Sequence, residues 1–475
     1  MRREFRGIWV ATVGNIDWPS RAGLSSWEQQ AELIGIFNRA VALRMNAIIF
    51  QIRPGADALY LSKIEPWAEF LAGQMGVPPQ PAYDPLAFAI EEAHKRGLEL
   101  HAWFNPYRAR YERPASDLSP THIAVEHPEL VRRYGSFLWM DPGDAEVRKR
   151  TIDVITDVVK RYDVDAVHID DYFYPYIEND KQGKPIDFPD DVTWNRYVRA
   201  GGKLQRADWR RANVDTLVHQ LYRKVKVTKP SVKFGISPFG IWRPGNPEGI
   251  AGLDSYTELY ANSRTWLNNG WLDYIAPQLY WHTRRTAQSY SRLLQWWVQE
   301  NTHKRHVWAG NFTSKVGSTG ADQWDSNEII KQIGLTRAQP GATGNIHFSA
   351  RAFMKDTDSL VEKLASSSYS DAALVPPSTW LDATPPARPA ISVRKLRENG
   401  ATVVELNPNG AARPWLWTVR TRFVSGWTTQ IVPGWVETHY ISFRNAPVPQ
   451  EVFVTAVDRN GNESSVVRSR VSATQ

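Results

Sequence analysis

The run Val167-His168-Ile169-Asp170-Asp171-Tyr172 sets two carboxyl groups side by side at the end of an apolar, β-prone stretch. Side chains alternate across a strand, so His168, Asp170 and Tyr172 share one face. Asp171 points the other way unless the strand has already ended. Val167 and Ile169 suit an outer helix layer, which places Asp170 on an inner rim. A partly desolvated carboxyl beside a His suits acid–base catalysis. The competing use is an ion pair with Arg53 or Arg108 that ties loops together. Breaking a glycosidic bond ordinarily takes two carboxyl groups, one as acid and one as nucleophile or base. Asp170 and Asp171 are the catalytic candidates, and Asp57, Asp17 and Glu248 compete with Asp171 for the second role. A turn or helix-cap role is the other reading of Asp17. If the substrate supplies an N-acetyl group as the nucleophile, one acid suffices.

Polar and aromatic residues recur at the tails of other apolar runs. Arg53, Asp57, Asn105, Arg108, His168, Arg243, Gln278 and Asn311 are candidates to bind sugar hydroxyls or carboxylates. Trp18, Tyr107, Trp242, Tyr280 and Trp281 are candidates to stack on sugar rings. Buried aromatics are commonplace in large cores, so it is their joint placement at strand tails that points to a ligand. Aromatics make up 12% of the chain, with 21 Trp, an excess that either sugar faces or core packing would explain. His101, His168 and His347 show no spaced ligand pair, so no metal site is expected. Gly310-Asn311-Phe312 and Ser349 form no nucleophile elbow. The absence of cysteine excludes disulfides and thiolate chemistry. The reading requires no cofactor.

These tails need elements to hold them. Eight short apolar runs begin at Phe5, Asn46, Leu98, Asp165, Lys233, Asp273, His306 and Asn345. Helix signals lie between them: Ser25 with Glu28 as a capping box, Asp84-Pro85 as an N-cap and first turn, and Gly97 as a stop. Eight β and α units in alternation predict an α/β chain folded as a (β/α)8 TIM barrel, with chemistry at the C-terminal ends of its strands. A doubly wound sheet lacks support, because no Gly-rich loop follows the first strand. The 475 residues suggest two domains. The expected division is a barrel over 1–370, a Pro-rich linker over 371–384 and a small all-β, fibronectin type III-like sandwich over 385–475. The linker's composition predicts few contacts between barrel and sandwich.

The net charge of +7 is carried by scattered basic residues, which argues against nucleic acid and leaves mild attraction to an anionic polymer. No stretch approaches the ~20 apolar residues of a membrane span. No signal peptide is legible, and the abrupt opening also fits a chain from which an export signal was removed.

Together FRGIWVATVGNIDWPS, QIRPGADALY, AWFNPYR, VHIDDYFYP, FGISPFGIWR and DYIAPQLYW resemble the glycosyl-hydrolase-ten-like family of bacterial envelope proteins. The resemblance runs from Phe5 to about Leu364. It implies a TIM barrel and export, to the periplasm or beyond, often as an outer-membrane lipoprotein. It also implies a glycosidase acting on an amino-sugar polysaccharide, peptidoglycan glycan strands without stem peptides. Membrane contact is expected only through such a lipid anchor. Xylanases of the parent family use Glu at the ends of strands four and seven, where this chain has Asp170-Asp171 and Asn311, so that mechanism is disfavoured. The strand-four motif looks more like chitinase-type barrels, with His168 and Tyr172 where those have further acids. The other reading is a glycan-binding barrel that lacks a second acid, or a hydrolase of another polysaccharide.

Overall fold

Each of the eight apolar runs becomes a strand of one closed parallel barrel in the computed structural model. The structure describes every residue except 113, 115, 321–322, 397–400, 411, 444–446, 448 and 472–475. The barrel strands are β1 (Phe5–Val10), β2 (Ala47–Arg53), β3 (Glu99–Phe104), β4 (Ala166–Ile169), β5 (Lys233–Ile236), β6 (Tyr274–Ile275), β7 (His306–Asn311) and β8 (Ala342–Phe348). They follow chain order around the barrel and close between β8 and β1. The helices start where their signals stand. Ser25 and Glu28 form the reciprocal capping box of helix Ser26–Ala42, and Asp84 caps helix Pro85–Lys95. Gly97 ends the latter with φ +71°, a left-handed position that favours glycine.

The inside of the barrel is filled, as strand alternation requires. Phe5, Trp9, Ile49, Trp103, Tyr274, Trp308 and Ile346 form one buried cluster there. Phe5 and Trp308 stack with ring centroids 3.5 Å apart. Tyr274 fits only because residue 235 is glycine, since a Cβ at Gly235 would fall within its ring. Through this apolar filling runs a chain of polar groups. Trp9 Nε1 donates to His168 Nε2 at 3.1 Å, and His168 Nδ1 lies 2.9 Å from the Tyr274 hydroxyl. That hydroxyl is 3.0 Å from His101 Nδ1, and His101 Nε2 is 2.9 Å from Glu99, which pairs with Lys233 at 2.9 Å. With both imidazoles neutral, every donor along this line meets an acceptor. Burial pushes the pKa of His168 and of His101 below the ordinary histidine range, which keeps them neutral.

The C-terminal part forms two antiparallel sheets. Its strands are β9 (Ala390–Lys395), β10 (Thr402–Asn407), β11 (Leu416–Phe423), β12 (Gly426–Pro433), β13 (Thr438–Ser442), β14 (Glu451–Val457) and β15 (Val467–Arg470). One sheet has the order β9-β10-β13 and the other β12-β11-β14-β15. Trp417, Val419, Val404, Val452 and Val454 pack in a core of their own.

The expectation of few contacts across the boundary is corrected. The Pro-rich segment lies along the N-terminal end of the barrel, where Arg2–Arg3 pairs in parallel with Ala373–Leu374. Trp380 Nε1 donates to Asp273 at 2.9 Å, and Arg459 makes two 2.6 Å bonds to Asp163. Arg3 bonds Glu463 at 2.7 Å, and a Cβ at Gly97 would press on Leu416 of β11. The sandwich therefore stands against the base of the barrel, away from the strand tails. Proline restricts the backbone without removing its acceptors or its neighbours' side chains, so Pro-rich composition alone does not make a segment free.

Candidate active site

Strand β4 stops at Ile169, so Asp170 and Asp171 both lie beyond it and strict alternation no longer separates them. Both feel the charge of Arg108. Asp170 Oδ2 accepts from Trp103 Nε1 at 3.0 Å and from Asn105 Nδ2 at 3.3 Å. Its Oδ1 has a 3.3 Å contact from the Tyr172 amide. Burial, reinforced by the neighbouring Asp171 charge and opposed by Arg108, pushes the Asp170 carboxyl up to about 7. Near neutral pH it is thus poised between acid and base. Asp171 is also raised, again chiefly by burial, while hydrogen bonds from Tyr176 and Gln278 hold it down. The two carboxyls are each 3% exposed, so they form the floor of the site.

Around this floor the sequence candidates separate into groups. Asn105 holds Asp170 through its amide and braces the following turn, its Oδ1 accepting from the Arg108 amide at 2.8 Å. Arg108 lies over the Tyr172 ring at 4.7 Å, with its Nε bonded to Pro54 O. Gln278 donates to Ser237 O at 3.0 Å and reaches Asp171. The Tyr280 hydroxyl is pushed up by burial first and by the Asp171 charge second. Tyr280 and Trp281 line a cleft of about 490 Å³ with Phe239, Phe312, Lys315 and Trp324. Phe239 also meets Tyr176, with centroids 6.5 Å apart, and Tyr176 donates to Asp171, so the cleft lies beside the carboxyls.

Other candidates have neighbours other than the two carboxyls. Trp18 is fully buried, with Nε1 bonded to Gln29 O and its ring against Phe50. Arg53 is fully buried and forks onto Glu65 at 2.7 and 2.6 Å, so it ties loops and pairs with neither Asp170 nor Asp171. Asp57 belongs to that cluster. Burial and Glu65 push its carboxyl up to about 7. Tyr107 is buried, and His168 lies in the barrel interior with Trp9, Tyr274 and Ser237 on its nitrogens. Asn311 faces the helix layer and bonds Tyr290 and Gln332. Trp242 stacks on Trp296 of helix Tyr290–Gln299, and Arg243 lies 3.5 Å from Asp254 and over Tyr256. Of the alternative second acids, Asp17 is held by Ser349 Oγ and the Ala11 and Arg351 amides. Glu248 is exposed in a loop.

Trp103, Tyr176, Phe239, Phe312 and Trp324 were not singled out from sequence. Trp103 had a signal: it follows His101 by two residues and so shares the inner face of β3. The others sit in loops, where no periodicity marks direction.

A parallel eight-stranded barrel, two buried carboxyls past its fourth strand and an aromatic cleft beside them define a barrel of the glycoside-hydrolase type. The chain belongs to the glycosyl hydrolase-like 10 family, whose model matches residues 4–326. It is 42% identical over 407 residues to glycosyl hydrolase YngK of Bacillus subtilis, covering 84% of this chain and 78% of that one. It is 37% identical over 374 residues to glycosyl hydrolase DigH of Escherichia coli K12, covering 73% and 83%. Among solved structures, the fold resembles the glycoside hydrolase domain of PgaB from Bordetella bronchiseptica. That match has TM-score 0.51 and 13% identity, over 76% of this chain and 98% of that one.

Proposed function

We propose that the protein hydrolyses glycosidic bonds in an N-acetylated envelope glycan, peptidoglycan strands lacking stem peptides, with Asp170 as general acid. The observation that carries this reading is the buried pair Asp170–Asp171 beside an aromatic cleft. Asp170, held at about 7, donates its proton to the leaving glycosidic oxygen as the C–O bond breaks. Neither Asp17 nor Asp57 competes with Asp171 for the second role, because loop contacts occupy Asp17 and the Arg53–Glu65 cluster surrounds Asp57. We assign the nucleophile to the substrate's own N-acetyl oxygen, which bonds to the anomeric carbon in the first step. Asp171, fixed by Tyr176 and Gln278, accepts from the acetamido N–H and steadies the positive charge of that intermediate. Water then adds to the anomeric carbon as the bond from that carbon to the acetamido oxygen breaks, and the water's proton passes to Asp170. Action on such a polymer places the protein outside the cytoplasmic membrane, and we extend the reading to a periplasmic or secreted location with a lipid anchor in the precursor.

The test is reducing-end release from three polymers: peptide-free peptidoglycan glycan, intact peptidoglycan and a β-1,4-glucan without acetamido groups. Release from the first and none from the glucan supports the reading. Equal release from the glucan removes substrate assistance.

A further inference from the structure

The cleft beside the carboxyl floor has a charge character that ring stacking alone does not require. Phe239, Tyr280, Trp281, Phe312 and Trp324 provide flat apolar surface. Tyr280 meets Phe312 with centroids 4.9 Å apart, and Phe239 meets Trp281 at 5.6 Å. Set among them are two cationic side chains, Lys315 and Arg285. Lys315 Nζ stands 5.5 Å from the centre of the Phe312 ring, and among the described residues it has no carboxylate in ion-pair range. The acid behind this wall, Glu328, is nearly buried and already engaged by Thr283, Gln332 and His282. A half-buried ammonium on an aromatic wall is matched by an anion on a ligand whose rings cover the aromatics.

We infer that this cleft is a subsite for a sugar unit bearing a free carboxylate, with Lys315 as the residue that reads the charge. The inference rests on the proposed glycan reading and deepens it. A carboxylate amidated by a peptide carries no charge and a bulky substituent, so the subsite favours strands whose carboxylates are free. Lys315 follows Phe312 through the short helix Thr313–Lys315 after β7, which sets the ammonium and the ring on one wall.

The experiment uses two ligands that differ in one group. One is a peptide-free peptidoglycan tetrasaccharide, and the other is the same tetrasaccharide with its carboxylates reduced to primary alcohols. Binding is measured by calorimetry on Asp170→Asn protein, with and without Lys315→Met. The Asp170→Asn protein should bind the acidic form about tenfold more tightly, and raising the salt should shrink that preference. Adding Lys315→Met should abolish the preference and leave affinity for the reduced form unchanged. Equal affinity for both forms before the Lys315 change overturns the carboxylate subsite and leaves the glycan reading standing. A preference that survives Lys315→Met overturns the assignment to this cleft. Binding of neither form overturns the glycan reading and the subsite with it.

Discussion

Replacing Asp170 with Asn separates the chemical role of this carboxyl from its structural cost. The amide matches the carboxylate in shape, and its oxygen can accept from Trp103 and Asn105 where Oδ2 does now. What it loses is the transferable proton, so kcat should fall by ~100- to 10,000-fold. Stability should move in the opposite direction. Asp170 is raised from 3.8 to about 7 by burial first and by Asp171 second. A carboxyl with a raised folded pKa stabilises the fold below its unfolded pKa, and that contribution is lost as pH rises through the folded value. Between pH about 4 and neutrality the fold therefore loses on the order of 4 kcal/mol through this group relative to the unfolded chain, an upper bound on what Asn can recover. Asp170→Asn should melt above wild type at pH 7, and the gain should vanish as pH falls to 4. Denaturation from pH 4 to 8, alongside glycan cleavage, checks both limbs. Wild-type kcat in a folded Asp170→Asn protein refutes the catalytic assignment. A melting difference that does not change with pH refutes the buried-acid argument.

Activity of the wild type should decline above pH about 7 as Asp170 loses its proton, which a pH–rate profile of kcat reads directly. Tyr176→Phe removes the hydroxyl that holds the Asp171 pKa down, so the acid limb of that profile should move to higher pH and kcat should drop about tenfold. Trp281→Ala should weaken oligosaccharide binding about tenfold by calorimetry. Trp242→Ala should leave binding unchanged and lower stability by about 2 kcal/mol in denaturant titration, because its ring stacks on Trp296. A chain ending near Ser378 should melt well below the full-length protein, since the Arg459–Asp163 and Arg3–Glu463 pairs go with the sandwich; unchanged melting would show that the docking adds nothing.

The strands were readable because each buried run is short, β-branched or aromatic, and flanked by polar breaks. Asp170 and Asp171 were readable for the same reason: position along β4 places them past its end. Depth was not. Trp18, Arg53 and Tyr107 stand at strand tails yet are buried, Trp18 against a residue of the first helix and Arg53 on Glu65, and a strand pattern carries no record of what later segments cover. Asn311 and Trp242 show a second gap. Their neighbours Tyr290, Gln332 and Trp296 belong to helices close to them only in the fold. His168 was legible as inward-facing, but not as part of a filled polar line from Trp9 to Lys233. The cleft draws on segments that follow β5, β6 and β7, so no single window of sequence contains it.

The central claim is hydrolysis at the anomeric carbon with Asp170 as acid. Peptide-free peptidoglycan glycan is incubated with wild-type and Asp170→Asn protein in water enriched in oxygen-18, and the products are read by mass spectrometry. The wild type should yield shortened amino-sugar chains, each new reducing end carrying one heavy oxygen, and the variant should yield none. Uncut glycan with wild-type protein, anhydro ends without heavy oxygen, or equal cleavage by Asp170→Asn would contradict it.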